Sequence, residues 1–438
     1  MNTKKVSFYS LGCKVNMYET EAVINEFLDN GFELVDFDAI SDVYIINTCS
    51  ITSMADQKSR KIIREAIKRN PQAIVAVMGC FAQLNKDVIK EINGVDILVG
   101  TNNRHMLYPL VIEKLKDNNN NLLDTYHEDI LKDRCYEELS LNYYCNRTRG
   151  FVKIQDGCDN YCAYCTVPYA RGHNRSRDIE SIIKEVTNLT NNGMKEIILS
   201  GINTGAYGKD KGITLAILLK ELVKIPNLGR IRISSIEESE ITIELLDVIK
   251  ENKEHFCNHF HIPLQGGCDN TLKRMKRKYD TLTYFNKINL IRSYFPDANI
   301  TTDILAGFAG ESEEDFNKSV EFLRKIGFGE MHVFPYSRRP KTVAYNYSDQ
   351  IDPITKKIRV NTLLKVNEEL ALNYRKLHLG SIVEVIVERI NNGMAFGHSS
   401  NYLEVRFKAN KAKENDLVKV RLLELAYPVM IGEEIWNL

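Results

Sequence analysis

The sequence predicts a multidomain α/β protein with three folded parts. Over most of the chain short β-branched runs alternate with helical stretches, which favours parallel sheets built from βα units. The end of the chain instead carries short β-runs without helices between them, a pattern typical of a small barrel. We therefore predict an N-terminal doubly wound α/β domain, a central incomplete (β/α)6 barrel and a C-terminal small antiparallel β-barrel.

Changes in this pattern mark the predicted domain boundaries. The three domains are expected at residues 3–116, 144–375 and 376–438, with a linker at 117–143. The linker is expected because the stretch that begins DNNNNLLDTYHEDILKD is polar, contains an Asn run and shows little periodicity. One short helix within it is compatible with the sequence.

Charge and composition narrow the class of protein. The chain has 58 basic and 58 acidic residues, so any contact with nucleic acid must come from local patches. No apolar signal-peptide core precedes the first strand, and no apolar run is long enough to span a membrane, so we expect a cytoplasmic protein. In that reducing compartment clustered cysteines are expected to be metal ligands or catalytic groups rather than disulfides.

Three predicted strands of the first domain each end in a cysteine. KVSFYSLGC ends at Cys13, DVYIINTC at Cys49 and AIVAVMGC at Cys80, and DILVG forms a further strand. Because the carboxyl ends of parallel strands meet at one edge of a sheet, these thiols should converge there. The alternative is that each is a small core side chain. Three such coincidences favour an auxiliary 4Fe–4S cluster site.

A second cysteine group lies in the loop that follows the first strand of the central domain. FVKIQDGCDNYCAYC places Cys158, Cys162 and Cys165 at the spacing Cys-x3-Cys-x2-Cys. Three thiolates so spaced can hold one 4Fe–4S cluster and leave its fourth iron open. Structural zinc is the alternative, but a closed zinc site needs four ligands, and no fourth cysteine or suitably spaced histidine follows nearby.

The central domain repeats a strand and a helix six times. In a (β/α) barrel the chemistry sits at the carboxyl ends of the strands, where the three-cysteine loop emerges. The predicted strands begin near Phe151, Glu196, Arg230, His259, Asn299 and Glu330.

The loop Cys158-x3-Cys162-x-Tyr164-Cys165 resembles that of the radical S-adenosylmethionine (SAM) enzymes. The resemblance implies a cluster whose open iron binds SAM and reduces it to a 5′-deoxyadenosyl radical. The segment ILAGFAGES resembles the Gly-rich turn that follows the fifth strand in this family, although the family usually has Pro at the position of Ala309. Turn formation is the alternative role of the Ser and Gly residues at strand ends. The implied SAM contacts are Tyr164 near the adenine, Ser200, Gly201 and Asn203 near the methionine amine, Ser235 at a polar contact, and Gly307 in the turn against the adenosine.

Three basic segments follow strands of the predicted barrel. Each is either a solvated surface or a contact to RNA phosphates. SRRPK differs from the S-P-R-P-G-T pattern of relatives at Arg338 and Lys341. The basic residues are Arg171, Arg175 and Arg177; Lys273, Arg274, Lys276, Arg277 and Lys278; and Arg338, Arg339 and Lys341.

The segment GMAFGHSSNYLEV resembles the core of the TRAM domain, an RNA-binding barrel at the end of several tRNA-modifying enzymes. Because the domain is not basic overall, RNA would have to bind by shape and by a local stripe. The alternative is a structural end-cap. The stripe comprises Arg406, Lys408, Lys411 and Lys413.

The order of these three domains resembles the methylthiotransferases over essentially the whole chain. LGCKVNMYE and NTCSITSMADQKSR are similar to the branch that acts on N6-threonylcarbamoyladenosine in tRNA. The branches for isopentenyladenosine in tRNA and for a ribosomal-protein aspartate, the alternative substrates, typically have Gln-Met or Pro-Lys where this chain has Lys14 and Val15. An RNA-binding module with a structural or electron-carrying cluster is the competing class.

The resemblance implies the cofactors, the partners and a division of labour between the two cysteine groups. Two 4Fe–4S clusters and SAM are the implied cofactors, and a tRNA anticodon loop and a one-electron donor such as flavodoxin or ferredoxin are the implied partners. The six catalytic residues would be the cluster cysteines: Cys158, Cys162 and Cys165 for the radical, and Cys13, Cys49 and Cys80 for the sulfur. Four cysteines have no ligand-like spacing and are expected to be structural, namely Cys135, Cys145, Cys257 and Cys268.

Overall fold

The computed structural model describes residues 3–116, 123–126, 128–139, 141–144 and 147–435. The chain divides into two compact units. Unit 1 comprises Met1–Cys145, Lys153–Arg177 and Ser337–Tyr345, and unit 2 comprises Asn146–Val152, Asp178–Tyr336 and Asn346–Leu438. Because compactness groups segments from different predicted domains, it does not test where each domain begins and ends, and those boundaries stay predictions.

The first part of unit 1 alternates strands and helices, as the sequence predicts. Its strands are β1 (Lys5–Ser10), β2 (Glu33–Leu34), β3 (Val43–Thr48), β4 (Ile74–Gly79), β5 (Ile97–Val99) and β6 (Asp124–Tyr126). Its helices are α1 (Lys14–Asp29), α2 (Ser53–Arg69), α3 (Cys80–Leu84), α4 (Lys86–Lys90) and α5 (Leu107–Lys116).

These strands form one parallel sheet in the order β2-β1-β3-β4-β5-β6. Strand β3 is buried on both faces: Tyr44 and Ile46 pack with Ile63 of α2, while Val43 and Ile45 pack with Phe27 of α1. Burial on both faces explains the continuous apolar run of this strand. The predicted doubly wound α/β fold is confirmed.

Strand β6 lies inside the stretch predicted as a linker. It pairs in parallel with β5, with Leu98 opposite Thr125. Further along the same stretch, the Tyr18 hydroxyl donates to the Leu139 carbonyl at 2.7 Å. This stretch therefore contributes an edge strand and buried contacts to unit 1. Within it residues 117–122, 127 and 140 lie outside the described residues, as does Cys145 beyond it.

The chain continues through the three-cysteine loop and into unit 2. The next elements are β7 (Arg149–Lys153), β8 (Gln155–Asp156), α6 (Val167–Arg171) and β9 (Arg175–Ser176). The remaining helices are α7 (Ile179–Asn191), α8 (Leu215–Leu222), α9 (Ile243–Glu251), α10 (Asp269–Arg274), α11 (Thr281–Tyr294), α12 (Glu313–Ile326) and α13 (Pro353–Leu377). The remaining strands are β10 (Glu196–Ser200), β11 (Arg230–Ile233), β12 (His259–His261), β13 (Asn299–Ala306), β14 (Glu330–Pro335), β15 (Ile382–Asn391), β16 (Met394–Ser399), β17 (Glu404–Lys408), β18 (Leu417–Ala426) and β19 (Val429–Ile435).

The six predicted barrel strands are present as β7 and β10 to β14. They form two sheets, β11-β10-β7 and β12-β13-β14. The sheets meet where Ile231 forms a parallel bridge with Phe256 and where the Ile236 amide donates to the His261 carbonyl at 3.0 Å. The strands thus follow one another in sequence order, and the incomplete (β/α)6 barrel is confirmed.

The last five strands close a small barrel in the order β15-β16-β17-β19-β18. The prediction of an antiparallel barrel is confirmed with one difference, because β17 pairs in parallel with β19. A closed ring with an odd number of strands cannot alternate direction throughout, so at least one neighbouring pair must be parallel. No helix among the described residues is both long and apolar enough to cross a membrane.

Two buried arginines attach this small barrel to the rest of unit 2. Arg230 donates to the carbonyls of Glu384 and His398, each at 2.9 Å, and Arg232 donates to those of Ser399 and Ser400, each at 3.0 Å. Both side chains also bind the Glu196 carboxylate, at 2.6 and 2.8 Å. Glu196 thereby neutralises both buried cations, and Arg230 has a second, more distant carboxylate partner in Glu384 at 3.8 Å.

Candidate functional site

The three strand-end cysteines of the first domain lie at one edge of the parallel sheet. Cys13 caps α1, Cys49 follows β3, and Cys80 begins α3 directly after β4. Burial raises the pKa of the Cys49 thiol to about 12, and the neighbouring Cys80 and Cys13 sulfurs act in the same direction. The three sulfurs are therefore close enough to interact electrostatically, as the strand-end rule predicts.

A glycine brings the backbone unusually near one of these sulfurs. Gly12 has φ +104°, and a Cβ added there would lie 3.0 Å from the Cys49 Cβ and 3.1 Å from its Sγ. Glycine adopts such a conformation without steric cost, whereas other residues are strained. Gly12 thus allows the turn before Cys13 to pass directly against Cys49.

The Cys158, Cys162 and Cys165 loop belongs to the same compact unit. The Cys158 amide donates to the Gly172 carbonyl at 3.0 Å, and the Cys165 amide donates to the Cys162 carbonyl at 3.0 Å. Gly157 has φ +73°, and a Cβ there would lie 1.8 Å from the His173 carbonyl oxygen. The loop is therefore folded back on itself by backbone contacts.

Arg171 links the two cysteine groups. It lies six residues after Cys165, is 1% exposed, and donates to the Asn16 Oδ1 at 2.7 Å and to both carboxylate oxygens of Glu19 at 2.8 and 3.0 Å. Burial raises the pKa of the Cys80 thiol, while the Arg171 guanidinium beside it opposes that rise. Arg171 thus supplies positive charge where thiolates would need it.

A buried ion cluster surrounds Arg171. Lys153 binds the carboxylates of Glu19 at 2.8 Å and of Asp156 at 2.6 Å, and Arg104 binds Glu19 at 2.9 Å. Burial alone would raise the pKa of Glu19, but the Arg104, Arg171 and Lys153 charges outweigh it and lower that pKa to about 2. The same kind of balance, with Arg171 and Lys153, holds the pKa of Asp156 well below its usual range. Both carboxylates are therefore ionised.

The assignment of the two cysteine groups to iron–sulfur clusters rather than to single zinc ions stays a prediction. Among the described residues, no three cysteines have sulfur atoms all within 4.8 Å of one another. A single zinc with Zn–S bonds of about 2.3 Å needs thiolates roughly 3.8 Å apart. A cuboidal cluster instead binds each thiolate at a different iron, which requires wider spacing. All six thiols are free of disulfides.

The residues predicted to contact SAM fall in both units. Tyr164 is half-buried in the loop of unit 1, whereas the other candidates belong to unit 2. The Ser200 hydroxyl donates to the Val152 carbonyl at 3.2 Å, and the Thr204 amide donates to the Ser235 carbonyl at 3.2 Å. Asn203 is buried at the start of a 3-10 turn, and Gly201 next to it is half-buried. The contacts described are compatible both with SAM binding and with turn formation, so these assignments stay predictions.

The Gly-rich turn after β13 has the conformation that glycine permits. Gly307 has φ +69°, its amide donates to the Glu311 carboxylate at 3.1 Å, and a Cβ there would lie 2.5 Å from the Lys356 Cγ. Gly310 also has a positive φ, and Ala309 between them is fully buried. Ala in place of the usual Pro therefore leaves a tight turn.

Sequence reasoning missed one group of potential ligands in unit 2. His261, Asp303 and His332, on β12, β13 and β14, place their donor atoms within 4.8 Å of one another. Thr301 Oγ1 lies 2.9 Å from His261 Nδ1, and Asp303 Oδ2 lies 3.4 Å from His261 Nε2. Two imidazoles and a carboxylate are a ligand set for a divalent transition metal. The observed register of β13 and β14 places Asp303 opposite His332, and the position of these side chains on neighbouring predicted strands is the signal that would have found them.

The first basic segment is not a surface patch. Arg171, Arg175 and Arg177 are each no more than 2% exposed and pair with acidic residues, so the hypothesis that they contact RNA phosphates is wrong. Arg339 of the third segment is also buried, and it donates to Asp56 at 2.6 Å and to the Ser50 hydroxyl at 3.0 Å. These arginines build the interior of unit 1 instead.

Other basic residues do face solvent. Lys273, Lys276, Lys278 and Lys341 are exposed, whereas Arg277 pairs with Glu237 and Arg274 with Asp349. In the terminal barrel the stripe of Arg406, Lys408, Lys411 and Lys413 is exposed along and just after β17.

Two of the unassigned cysteines have the structural surroundings that the sequence predicts. Cys257 is buried 3.9 Å from a Glu196 carboxylate oxygen, and Cys268 is buried with its sulfur 3.2 Å from Asp315 Oδ1. Cys135 is exposed. Among these three, no thiol joins a metal-ligand group.

Comparison with known proteins identifies the class to which this fold and this pair of cysteine sites belong. The sequence model of the radical SAM superfamily matches residues 152–323, and that of an uncharacterized family, UPF0004, matches residues 5–100. The solved structure of the radical SAM methyltransferase TsrM from Kitasatospora setae, with cobalamin and a [4Fe-4S] cluster bound, has a TM-score of 0.56 at 15% identity. The match covers 78% of this chain and 77% of that one and shows a shared fold.

Curated relatives define the family. The threonylcarbamoyladenosine tRNA methylthiotransferase of Bacillus subtilis is 41% identical over 98% of this chain and 96% of its own. The tRNA-2-methylthio-N(6)-dimethylallyladenosine synthase of Natranaerobius thermophilus is 34% identical over 96% and 94%. The chain therefore belongs to the radical SAM methylthiotransferase family, an enzyme family whose cofactors are SAM and 4Fe–4S clusters.

Proposed function

We propose that this protein converts N6-threonylcarbamoyladenosine beside the tRNA anticodon to its 2-methylthio derivative. The observation that carries the proposal is that both cysteine groups lie in one compact unit, linked by the buried Arg171. The 41% identity to a threonylcarbamoyladenosine tRNA methylthiotransferase supports this substrate over isopentenyladenosine or a ribosomal-protein aspartate.

Cys158, Cys162 and Cys165 would hold the SAM-binding cluster, and Cys13, Cys49 and Cys80 the auxiliary one. With both clusters and SAM bound, one-electron chemistry becomes available to replace the hydrogen at adenine C2, which has no acidic proton for a base to remove. The protein's part is to position the ligands and to balance their charge. Gly12 and Gly157 allow close backbone turns at the two groups, and Arg171 places a guanidinium beside Cys80.

The buried ion cluster would keep this arrangement rigid. Glu19 lies on the helix that begins after Cys13, whereas Asp156 precedes Cys158 by two residues. Arg171 and Lys153 each bind both carboxylates. A shift of either cysteine group would therefore stretch charge-assisted hydrogen bonds in a low-dielectric interior, where they are strong.

The partners follow from the chemistry. The adenine must leave its stack to reach a cluster, which suits an unpaired anticodon loop better than a duplex. SAM reduction requires an external one-electron donor such as flavodoxin or ferredoxin. A cytoplasmic location follows from the proposed tRNA substrate and electron donor.

Mass spectrometry of tRNA nucleosides from cells with and without the gene tests the proposal. We expect the 2-methylthio-N6-threonylcarbamoyladenosine peak to disappear on deletion while unmodified N6-threonylcarbamoyladenosine accumulates. Loss of the isopentenyl derivative instead would redirect the substrate assignment. A nucleoside profile that does not change would refute a role in tRNA modification.

A further inference from the structure

Helix α2 leads away from the auxiliary cysteine edge with one side buried and one side in solvent. It begins at Ser53, four residues after Cys49, and the Thr52 hydroxyl caps it by accepting from the Ala55 amide at 3.1 Å. Its buried side consists of Ser59, Ile62, Ile63 and Ala66, which pack on the sheet. The opposite side faces solvent and does not contribute to the hydrophobic core.

That opposite side carries a continuous row of cations, which we call the α2 basic stripe: Lys58, Lys61, Arg64 and Lys68. All four residues are exposed and recur every three or four positions, which places them on one face of the helix. The half-buried Arg60 lines the same shallow depression as Lys61, Arg64 and Lys68.

The charges of the stripe are barely compensated. Lys61 lies 3.7 Å from Glu65, and the two side chains are 73% and 41% exposed, so this solvent-screened pair contributes little. Among the residues that the structure describes, Lys58, Arg64 and Lys68 have no ion-pair partner. Like charges three or four residues apart on a helix destabilise it. The stripe therefore costs stability, and an anionic ligand would remove that cost.

An apolar edge separates the stripe from Cys49. Ile51 is 50% exposed and Met54 is 74% exposed, and both lie between Cys49 and Lys58 in the chain. Neither side chain is needed by the hydrophobic core. Exposed apolar side chains of this kind offer a surface for an unstacked base, because every base has an apolar face.

We propose that the α2 basic stripe binds the phosphate backbone of the tRNA stem next to the anticodon loop. This inference rests on the proposed function and adds a docking surface to it. From Lys58 to Lys68 the helix rises about 15 Å, and one nucleic-acid strand presents a phosphate roughly every 3.4 Å of rise. The stripe is thus long enough to meet several consecutive phosphates and leads the strand toward Cys49.

An acidic electron-donor protein is also a polyanion, but the geometry of this surface favours RNA. The cations form a line along one helix rather than a compact patch. Exposed Met54 and Ile51 continue that line toward the auxiliary cysteines, where the substrate base must arrive, whereas electrons are needed at the other cluster. A linear polyanion with bases attached matches this arrangement.

The test uses the reconstituted full-length enzyme with Lys61→Gln, Arg64→Gln and Lys68→Gln combined. Neutral replacements avoid placing acidic groups at the helix C-terminus, where they would destabilise it. The dissociation constant for N6-threonylcarbamoyladenosine-containing tRNA is measured as salt concentration rises. We expect binding to weaken at least about tenfold near physiological salt, and the slope of log K against log salt to become shallower by about 2 to 3.

The matched control removes the same number of charges from another exposed helix surface. Lys357, Lys365 and Lys376 are exposed on α13 and have no ion-pair partner among the described residues. The triple glutamine variant there should bind tRNA as the unmodified enzyme does. Equal iron content and an unfolding temperature no lower than that of the unmodified enzyme establish that both triple variants are folded.

Two results would overturn the inference. One is a stripe variant whose tRNA affinity and salt slope are the same as those of the unmodified enzyme. If, in addition, its turnover falls with flavodoxin as the reductant but not with dithionite, the stripe binds the electron donor instead. The other is an equal loss of affinity in the α13 control. Failure of the proposed function is distinct, since the unmodified enzyme would then form no 2-methylthio product from this tRNA.

Discussion

Arg171 binds Glu19 through both arms of its guanidinium, from Nη1 to Oε1 at 2.8 Å and from Nη2 to Oε2 at 3.0 Å. The two residues are 152 positions apart, and neither is more than 1% exposed. A bidentate pair of this kind fixes orientation as well as distance. It therefore sets the three-cysteine loop against the helix that begins at the first auxiliary cysteine.

Glu19→Gln should destabilise unit 1 by about 3–5 kcal/mol, because Arg104, Lys153 and Arg171 would stay buried without their shared anion. The measurement is chemical denaturation followed by fluorescence. Glu221→Gln is the control, since the Glu221–Lys224 pair at 2.7 Å is exposed and should contribute less than about 1 kcal/mol. Similar losses in both variants would contradict a structural role for the buried cluster.

Gly12→Ala should lower the iron content of the reconstituted enzyme from about eight to about four per chain. The added Cβ would meet Cys49 at 3.0 Å in a backbone conformation that alanine adopts only with strain. Gly31→Ala has the same type of strain, at φ +83°, but nothing lies within 4 Å of the added Cβ. We expect eight irons in that control, and equal iron loss in both variants would count against a specific contact at Cys49.

The two cysteine groups should separate two activities. Cys162→Ala should abolish release of 5′-deoxyadenosine from SAM, whereas Cys49→Ala should still release it and form no methylthio product. Each variant should hold about four irons, and Cys135→Ala, which alters an exposed thiol, about eight. Zinc in place of iron, or loss of both activities in both variants, would argue against the division of labour.

Glu196 should make unit 2 sensitive to acid. Burial alone would raise the pKa of this carboxyl, but Arg232 and Arg230 outweigh it and lower the pKa to about 2. A carboxyl whose pKa is lower in the folded state stabilises above its unfolded pKa of about 4.5, and that stabilisation is lost as pH falls toward 2. The loss is of order 3 kcal/mol. Glu196→Gln should be less stable at neutral pH and should lose less further stability on acidification, as unfolding midpoints at pH 7 and pH 3 would reveal.

Hydrophobic periodicity in the sequence predicted most of the strands and helices of the fold. Buried parallel strands such as Val43–Thr48 read as continuous apolar runs, and each was bounded by turn residues, so the sheet and the barrel strands were predictable. Strand β6 was not, because three residues in a polar stretch give no periodic signal. The parallel pairing of β17 with β19 follows from closing an odd number of strands, which depends on strand count rather than on local sequence.

The candidate site also has features that the sequence predicts and features that it does not. Convergence of Cys13, Cys49 and Cys80 was predictable because strand ends share an edge. The pairing of Arg171 with Glu19 was not, because it depends on which distant surfaces meet. The burial of Arg175 and Arg177 was not predictable for a related reason: a sequence shows charge but not burial, and here each guanidinium is buried and pairs with a carboxylate, that of Asp133 or of the exposed Glu138.

The short segment Ser337–Tyr345 belongs to unit 1, where Arg339 binds Asp56 and the Ala344 amide donates to the Ala163 carbonyl at 2.8 Å. During synthesis this segment leaves the ribosome about 160 residues after Arg177, where the preceding part of unit 1 ends, which at 5–20 residues per second is a delay of roughly 8 to 32 s. All six predicted cluster ligands wait through that interval in an incomplete fold. Cluster loading on the native site is therefore a late event, and a nascent chain released early would leave its thiols open to oxidation.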